Sequence, residues 1–338
     1  MWTEEKLNQI LTEPSEKLIN GIKKIDGDIT VLGASGKMGP TLCLLAKNAI
    51  NKAGINKRII AVARFTDKDS ERFLNNNGIE TITCDLADTE QIKKLPPTEN
   101  IIYMAGRKFG TSGAEYLTWA MNAAVPAYVV DKYRGANYVV FSSGNLYPYV
   151  APFTGGNSEN VAPVPIGEYA MSTLARERVF EYAAYTYGAK IFMYRLNYAI
   201  DLRYGVLYDI AQNILAGNPV SLTVPAFNFV WQGYANEIAI LGLLHTENPP
   251  KVVNITGPEV VSVRKAAEIL SEYLGKVPIF SGAEGELALL SDASLCAELF
   301  GYPSVTRNDI IRWQAEWIMD GGRGLGKPTH FEERQGNY

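Results

Sequence analysis

Six short apolar segments recur between residues 28 and 196, and a stretch with helical periodicity follows most of them. The segments are rich in β-branched residues and apolar on both faces, which is typical of strands buried in a parallel sheet. They are DITVLGAS, RIIAVARF, ETITCDL, NIIYMAG, NYVVFSSG and AKIFMYRL. The predicted helices are 40–53, 69–76, 89–95, 115–133 and 169–187. This alternation predicts an α/β fold with a Rossmann-like, doubly wound parallel sheet.

The turn after the first predicted strand holds three glycines spaced three residues apart, in the sequence GASGKMG. In such a loop the first glycine permits a tight turn, the second lets the backbone approach a pyrophosphate, and the third lets the helix pack on the strand. The N–H groups at the helix start attract the phosphate charge, although a plain strand-to-helix turn is the alternative. The predicted cofactor-binding residues of this loop are Gly33, Ser35, Gly36, Lys37, Met38 and Gly39.

The end of the second strand indicates which dinucleotide is bound. A chain that binds NAD often carries a carboxylate here for the ribose hydroxyls, whereas this sequence has Arg64. A guanidinium suits the 2′-phosphate of NADP, and Lys37 adds a second positive charge nearby. NADP is therefore favoured over NAD, with solvated surface cations as the alternative. Asp85, after the third strand, is expected at the adenine edge or as the cap of the next helix.

Several motifs, taken in order, resemble those of the extended short-chain dehydrogenase/reductase family, of the NAD-dependent epimerase/dehydratase type. They are the glycine loop, CDL at 84–86, YMAG at 103–106, Asn122, VVFSSGNLYP at 139–148 and Tyr169. The resemblance implies that Ser143 polarises a substrate oxygen and that Tyr169 is the general acid/base. It also implies further contacts to the cofactor from Asp85, Leu86, Ala105, Gly106, Tyr169 and residue 173.

The sequence departs from the family pattern at Thr173, where the resemblance implies a lysine that holds the nicotinamide ribose. Thr173 lies one helical turn after Tyr169 on the same face, so its hydroxyl can replace a hydrogen bond but not a charge. Three explanations stay open. Arg107 or Lys108 restores the charge, the two cations bind an anionic substrate, or the protein has become a sensor of its cofactor; a plain solvated pair is the remaining alternative.

The substrate-binding residues are expected at the carboxyl edge of the sheet and in the segments that leave it. The loop 144–166 is long and rich in Gly and Pro, which favours a role in the pocket wall. Arg203 is a candidate anion clamp, and buried ion pairs or caps are alternatives for the residues after the sixth strand. The sequence YAIDLRYG replaces the family's usual ending, so a nucleotide on the substrate stays open. The candidates are Arg107, Lys108, Ser143, Asn145, Arg195, Asn197 and Arg203.

Four regions follow from these patterns. Residues 1–27 are predicted to form a helical extension, and residues 28–190 the NAD(P)-binding domain. Residues 191–325 are predicted to form most of a smaller C-terminal substrate domain that is partly intercalated with the first. Residues 326–338 are a glycine-rich tail that is either disordered or a flap over a site.

Composition limits the partners. The net charge is −4 and the sequence has no basic block, so nucleic acid is not an expected partner. Two histidines and three widely spaced cysteines suggest no metal site. No apolar run is long enough to span a bilayer, so neither membrane association nor a signal peptide is expected, and the expected location is cytoplasmic. The resemblance implies a homodimer that pairs helices 115–133 and 169–187.

Together these observations predict an NAD(P)-dependent oxidoreductase, epimerase or dehydratase that acts by hydride transfer on a hydroxyl or carbonyl. The expected substrate is a small sugar or sugar acid, and the two cations at 107 and 108 favour an anionic one. The alternative is a catalytically impaired NAD(P)-binding sensor, which the threonine at position 173 favours.

Overall fold

The computed structural model describes residues 1–326 and 329–336. Its main feature is a seven-stranded parallel sheet in the order β11-β6-β5-β4-β1-β2-β3. The strands of this sheet are β1 (Ile29–Leu32), β2 (Ile59–Ala63), β3 (Glu80–Thr83), β4 (Asn100–Tyr103), β5 (Asn137–Ser143), β6 (Lys190–Leu196) and β11 (Lys251–Ile255). Three short pairs come from β7 (Ala199–Ile200), β8 (Val220–Ser221), β9 (Ala226–Phe227), β10 (Val230–Trp231), β12 (Val261–Ser262) and β13 (Phe280–Ser281). The predicted Rossmann-like parallel sheet is confirmed.

Helices cover both faces of the sheet and build a second lobe. They are α1 (Glu4–Thr12), α2 (Glu16–Ile22), α3 (Gly39–Ala53), α4 (Lys68–Asn76), α5 (Thr89–Lys94), α6 (Glu115–Trp119), α7 (Val125–Lys132), α8 (Gly167–Tyr187), α9 (Val206–Ala216), α10 (Gln232–Leu241), α11 (Val263–Leu274), α12 (Ser294–Phe300) and α13 (Arg307–Met319). Residues 144–146, 152–154 and 242–245 form single 3₁₀ turns.

The predicted helix 115–133 is interrupted. Between α6 and α7, residues Ala120–Ala124 form a π-helical turn, and the Val125 N–H bonds to the Ala120 carbonyl five residues back. Pro126 explains the break because it has no N–H to donate to the carbonyl of Asn122. The widened turn carries Asn122, which is fully buried behind the carboxyl end of the sheet.

Three large apolar cores and one small cluster around Val224 and Leu290 hold the described part of the chain together. One lies between the sheet and the helices α2, α3 and α10, and another lies between the opposite face and the helices α5, α7 and α8. The third is the core of the second lobe, built from α9, α11 and α13. The N-terminal segment that holds α1 and α2 joins two of these cores, because α1 packs into the third and α2 into the first.

The structure describes only part of the predicted tail, residues 326–338. It describes residues 326 and 329–336, whereas residues 327, 328, 337 and 338 lie outside the described residues. Within the described chain, no helix combines the length and apolar character needed to cross a membrane.

The chain beyond residue 191 contributes to both halves of the molecule, since β11 returns from the second lobe to pair with β6.

Candidate active site

A cavity of about 750 Å³ opens where the carboxyl ends of β1, β4, β5 and β6 meet the second lobe. This edge of a doubly wound sheet, where the strand order reverses, is where ligands bind. The structure brings many of the sequence-predicted residues together here. Those that line the cavity are Gly33, Gly36, Lys37, Met38, Gly106, Arg107, Lys108, Ser143, Asn145, Tyr169 and Asn197.

The three loop glycines occupy different environments. Gly33 has a φ of +91°, and a Cβ there would lie 2.6 Å from the amide nitrogen of Ala105. A Cβ on Gly39 would overlap the carbonyl oxygen of Ala34, so the start of α3 packs directly on the strand end. Gly36 meets nothing closer than the Gly33 carbonyl oxygen at 3.5 Å, and it faces the cavity. The backbone is therefore closely packed at two glycines and open toward the cavity at the third.

Lys37 points away from the position that the NADP argument gave it. Its ammonium donates a hydrogen bond to the carbonyl oxygen of Ala199 at 2.7 Å and lies 4.4 Å from the ring centroid of Tyr204. Burial lowers the pKa of Lys37 to about 8. Ala199 follows β6, whereas Arg64 follows β2 on the other side of β1. The expectation that Lys37 adds a second positive charge near Arg64 is therefore corrected. Its side chain points toward the second lobe, where it contacts the Ala199 carbonyl and the Tyr204 ring.

The residues expected at the adenine end lie outside the cavity. Arg64 is exposed after β2. Asp85 accepts a hydrogen bond from the Ala87 amide at 3.0 Å, which closes a local turn, while Asp88 caps α5. The side chain of Leu86 is buried in the core on one face of the sheet. Ser35, Gly39 and Ala105 also belong to the loop and strand ends without lining the cavity.

Ser143 and Tyr169 come from distant segments and line the same cavity. Ser143 ends β5, and its hydroxyl donates to the Asn145 side-chain oxygen at 3.1 Å and accepts from the Asn145 amide at 3.1 Å. Tyr169 lies in the first turn of α8, which begins at Gly167 with a φ of +80°. The long loop 144–166 connects the two, so the sharp turn at Gly167 sets where the phenol enters the cavity.

Lys108 is the cation that faces the tyrosine. Its ammonium lies 5.6 Å from the ring centroid of Tyr169 and 5.6 Å from that of Phe109. Burial lowers the pKa of Lys108 to about 8. Arg107 is held differently, because its guanidinium donates to the Gly110 carbonyl at 2.7 Å. Its backbone amide donates to the Asn122 side-chain oxygen, and its carbonyl accepts from the Asn122 side-chain amide.

Thr173 is fully buried, and its hydroxyl has no hydrogen-bond partner among the described residues. It does not line the cavity. One turn later on α8, the buried guanidinium of Arg176 donates to the Phe141 carbonyl at 2.7 Å and to the Asn122 side-chain oxygen at 2.7 Å. A Cβ on Gly106 would overlap this guanidinium, so Arg176 forms the floor beneath a cavity residue. Sequence reasoning missed Arg176, although it lies two turns after Tyr169.

The predicted contacts after β5 divide into two groups. Arg195 is 4% exposed, forms a bidentate ion pair with Glu177 at 2.7 and 2.8 Å, and donates to the Tyr147 hydroxyl at 2.7 Å. Arg203 pairs with Asp201 at 2.7 Å. Neither lines the cavity, and both match the buried ion pair that the sequence left open as the alternative. Asn197 does line it, with its amide donating to the Asn228 side-chain oxygen at 2.7 Å.

Sequence motifs did not single out the other cavity residues. Several are aromatic, and two come from the tail beyond residue 325, for which a flap over a site was one of the two alternatives that the sequence left open. The missed lining residues with rings or in the tail are Phe109, Phe141, Tyr198, Tyr204, Gly326 and His330. A residue at the far end of the chain reaches the site only through the tertiary fold, so no local spacing could have identified it.

Comparisons with known proteins agree with this fold. A sequence model of the NAD dependent epimerase/dehydratase family matches residues 29–223. The solved structure of UDP-glucuronic acid 4-epimerase from Bacillus cereus, with UDP-glucuronic acid and NAD, is similar at a TM-score of 0.70 and 16% identity. UDP-glucose 4-epimerase from Thermotoga maritima, with UDP-glucose, is similar at 0.68 and 19%. Each alignment covers 87% of this chain and 99% of the other.

A third similar structure is UDP-glucose 4-epimerase from Thermus thermophilus, in complex with NAD, at a TM-score of 0.68 and 20% identity over 86% of this chain and 99% of the other. No curated protein sequence matches the chain. At these identities the structures share the fold with this chain, and the family assignment rests on the sequence model that spans more than half of it.

Proposed function

Because the chain belongs to the NAD-dependent epimerase/dehydratase family, we propose that it acts on a sugar or sugar acid as an epimerase, a dehydratase or an oxidoreductase. One observation carries the proposal: Gly36, Ser143 and Tyr169, from three distant segments, line one cavity. A nicotinamide dinucleotide bound there would supply the hydride acceptor and donor. The substrate determines whether the reaction is an epimerisation, a dehydration or a net oxidation or reduction, and the experiment below identifies that substrate.

The residues fit a dinucleotide. The surface of Gly36 is open toward the cavity, as a close approach by a pyrophosphate requires, while Gly33 and Gly39 fix the loop around it. The resemblance assigns the nicotinamide ribose to residue 173, but the Thr173 hydroxyl is fully buried and does not line the cavity, so we propose no cofactor contact for it.

Ser143 and Tyr169 are the proposed catalytic residues. The Ser143 hydroxyl, which is held by Asn145, would donate a hydrogen bond to the reacting oxygen of the substrate. The Tyr169 oxygen would take the proton from this substrate oxygen when it is a hydroxyl, and would return the proton when it is a carbonyl. Both side chains reach the cavity from rigid elements, the end of β5 and the first turn of α8.

Lys108 supplies the charge that Thr173 lacks. Its ammonium lies 5.6 Å from the Tyr169 ring centroid, and a nearby cation favours the ionised form of a phenol. A lysine with a pKa of about 8 is still mostly protonated at neutral pH. Of the two cations that the sequence offered, Lys108 is the one that lies beside the Tyr169 ring, whereas the Arg107 guanidinium donates to the Gly110 carbonyl.

An anionic substrate is the second part of the proposal. Among the described residues that line the cavity, Lys37, Arg107, Lys108 and His330 are basic and none is Asp or Glu. Such a lining favours phosphate or carboxylate groups. Two of the structurally similar epimerases are complexes with UDP-sugars, and we propose substrates of that kind, including uronic acids.

NADP remains the proposed nucleotide, on the single ground of Arg64. This residue directly follows β2 and is exposed, so its guanidinium is accessible to a 2′-phosphate. Lys37 does not add its charge to that of Arg64, because its ammonium donates to the Ala199 carbonyl.

A homodimer in the cytoplasm completes the proposal. The helices α6, α7 and α8 expose a group of large apolar side chains, and contiguous groups of this kind mark interfaces. They are Tyr116, Leu117, Trp119, Tyr128, Met171, Tyr182 and Tyr185. The occupant that we propose is a second copy of this chain, which light scattering on a sizing column would detect.

The three cysteines are buried and unpaired, as expected of a reducing compartment.

The test is turnover of defined sugars by the purified protein. The protein is incubated with NAD or NADP and with UDP-glucose, UDP-galactose, UDP-glucuronic acid or free uronic acids, and the products are separated by chromatography and mass spectrometry. Conversion of a sugar that disappears in Tyr169→Phe supports the proposal. Nucleotide binding without any turnover would favour the NAD(P)-binding sensor instead.

A further inference from the structure

The described part of the C-terminal tail, residues 329–336, packs on the second lobe and on the start of α8, and it brings His330 to the cavity. Thr329 is 2% exposed, and its amide donates to the Asp209 carboxylate at 2.8 Å while its hydroxyl donates to the same oxygen at 2.5 Å. Phe331 is buried in the core of the second lobe. These contacts fix both sides of His330, which lies between them and lines the cavity.

The far end of this segment docks on the helix that carries the catalytic tyrosine. A Cβ on Gly336 would lie 2.5 Å from the Ile166 carbonyl oxygen and 2.6 Å from the Gly167 Cα, so the two backbones are in direct contact. Gly167 begins α8 two residues before Tyr169. Arg334 lies over the ring of Tyr149, at 4.9 Å, and so ties the segment to the loop that connects Ser143 with Tyr169.

The backbone conformation of His330 points to a function. Its φ is +52°, in the left-handed region that residues other than glycine rarely adopt. Tyr198, with a φ of +41°, is another of the few non-glycine residues in this region, and it lines the same cavity. Such conformations persist only where the surroundings enforce them, and they cluster at ligand sites.

The chemistry around His330 selects a type of ligand. Its ring lies 6.2 Å from that of Phe109, and the Lys108 ammonium lies 5.6 Å from the Phe109 ring, so imidazole, aromatic ring and cation share one part of the cavity wall. Among the described lining residues no carboxylate opposes them. An imidazole N–H donates to an acidic oxygen in either protonation state of the ring.

We propose that His330, which the contacts of residues 329–336 hold at the cavity wall, is a specificity-determining residue that binds an acidic group of the substrate. The proposal rests on the proposed function, since it assigns the substrate end of that same site. The acidic oxygens come either from a sugar carboxylate or from the diphosphate of a nucleotide sugar.

Calorimetric titration of the cofactor-saturated protein tests this. The probes are UDP-glucose, which carries only the diphosphate, D-glucuronic acid, which carries only the carboxylate, and UDP-glucuronic acid, which carries both. His330→Ala is compared with His245→Ala, because His245 packs against Phe300 and does not line the cavity. Gly336→Ala is compared with Gly321→Ala, since both have a φ of +80° and only Gly336 has neighbours that a Cβ would meet.

His330→Ala should raise the Kd of the probe that carries the recognised group by about tenfold or more, and leave the affinity for the cofactor unchanged. Gly336→Ala should act in the same direction, and Gly321→Ala and His245→Ala should not. The probe that loses affinity identifies the source of the acidic group. Wild-type affinity for every probe in both His330→Ala and Gly336→Ala would overturn the proposal. A wild-type protein that binds no dinucleotide would instead contradict the proposed function.

Discussion

The two ends of the cavity are built in different ways. At the proposed cofactor end, one contiguous loop, 33–39, contributes Gly33, Gly36, Lys37 and Met38 to the cavity lining. At the substrate end, side chains arrive from β5, α8, the segment after β6 and the C-terminal tail. A backbone site needs glycines at fixed spacing, which a sequence displays directly. A side-chain site needs only a tertiary fold that brings distant residues together.

The largest expected effect is at Tyr169. Tyr169→Phe removes the hydroxyl that is proposed to move the proton, and such groups contribute about 10²–10⁴-fold to a rate. Turnover should fall by about that factor, while the dinucleotide should still bind, because the glycine loop 33–39 that is proposed to receive it is unchanged. Steady-state kinetics beside a nucleotide titration checks both. Tyr185→Phe, at a residue 72% exposed on the same helix, is the matched control.

Arg195 tests which residues belong to the substrate end. Because Arg195 is paired with Glu177 away from the cavity, Arg195→Leu leaves a buried carboxylate unpaired. Breaking a buried pair in this way costs about 3–5 kcal/mol, so the free energy of unfolding should drop by about that amount. Arg178→Leu, which breaks the exposed pair with Glu181, should cost under about 1 kcal/mol. Denaturant unfolding measures both, and an Arg195 variant of normal stability with weakened sugar binding would return Arg195 to the substrate site.

These outcomes bear on what the sequence could predict. The alternation of apolar segments predicted β1 to β6 because buried parallel strands need both faces apolar. It did not single out β11, which follows a region with no regular alternation. Ser143 and Tyr169 were found through their family motifs, whereas His330 and Arg176 depend on packing between segments that are distant in sequence or on a helix face with no motif. Lys37 does line the cavity, but its side chain points toward Ala199 and away from Arg64, because the conformation of a side chain depends on the groups that it contacts in the folded protein.

The loop glycines separate fold from binding. Gly39→Ala forces a Cβ onto the Ala34 carbonyl and should destabilise the fold by about 1–3 kcal/mol. Gly36→Ala meets no such obstacle, so the thermal midpoint should stay close to that of the wild type while the dinucleotide affinity falls. Thermal unfolding with and without nucleotide distinguishes the two variants. Equal destabilisation by both would mean that the loop is only a structural turn.

Lys108 gives a pH signature. Its pKa is about 8, so the ammonium that stabilises the phenolate is present below that pH and is lost as the pH rises through it. Turnover by the wild type should therefore fall above about pH 8, apart from the intrinsic titration of the tyrosine. Lys108→Arg stays charged and should remove this fall, and Lys108→Met should lower turnover about tenfold at neutral pH. Identical pH profiles for the three proteins would exclude Lys108 from the reaction.

Arg64 should give the smallest effect, because its side chain is exposed and screened by solvent. Arg64→Asp replaces the cation expected at the 2′-phosphate with a carboxylate suited to ribose hydroxyls. The ratio of NADP to NAD affinity should fall by about tenfold, with the fold unaffected. Competitive titration with both nucleotides measures this ratio. An unchanged ratio would remove the basis for the NADP preference.

Titration of the purified wild type with NADP, NAD and their reduced forms shows whether the cavity holds a nicotinamide dinucleotide. We expect saturable binding of one nucleotide per chain, with NADP bound more tightly than NAD. If none of the four nucleotides shows saturable binding, the cavity is not a dinucleotide site and the proposed function is wrong.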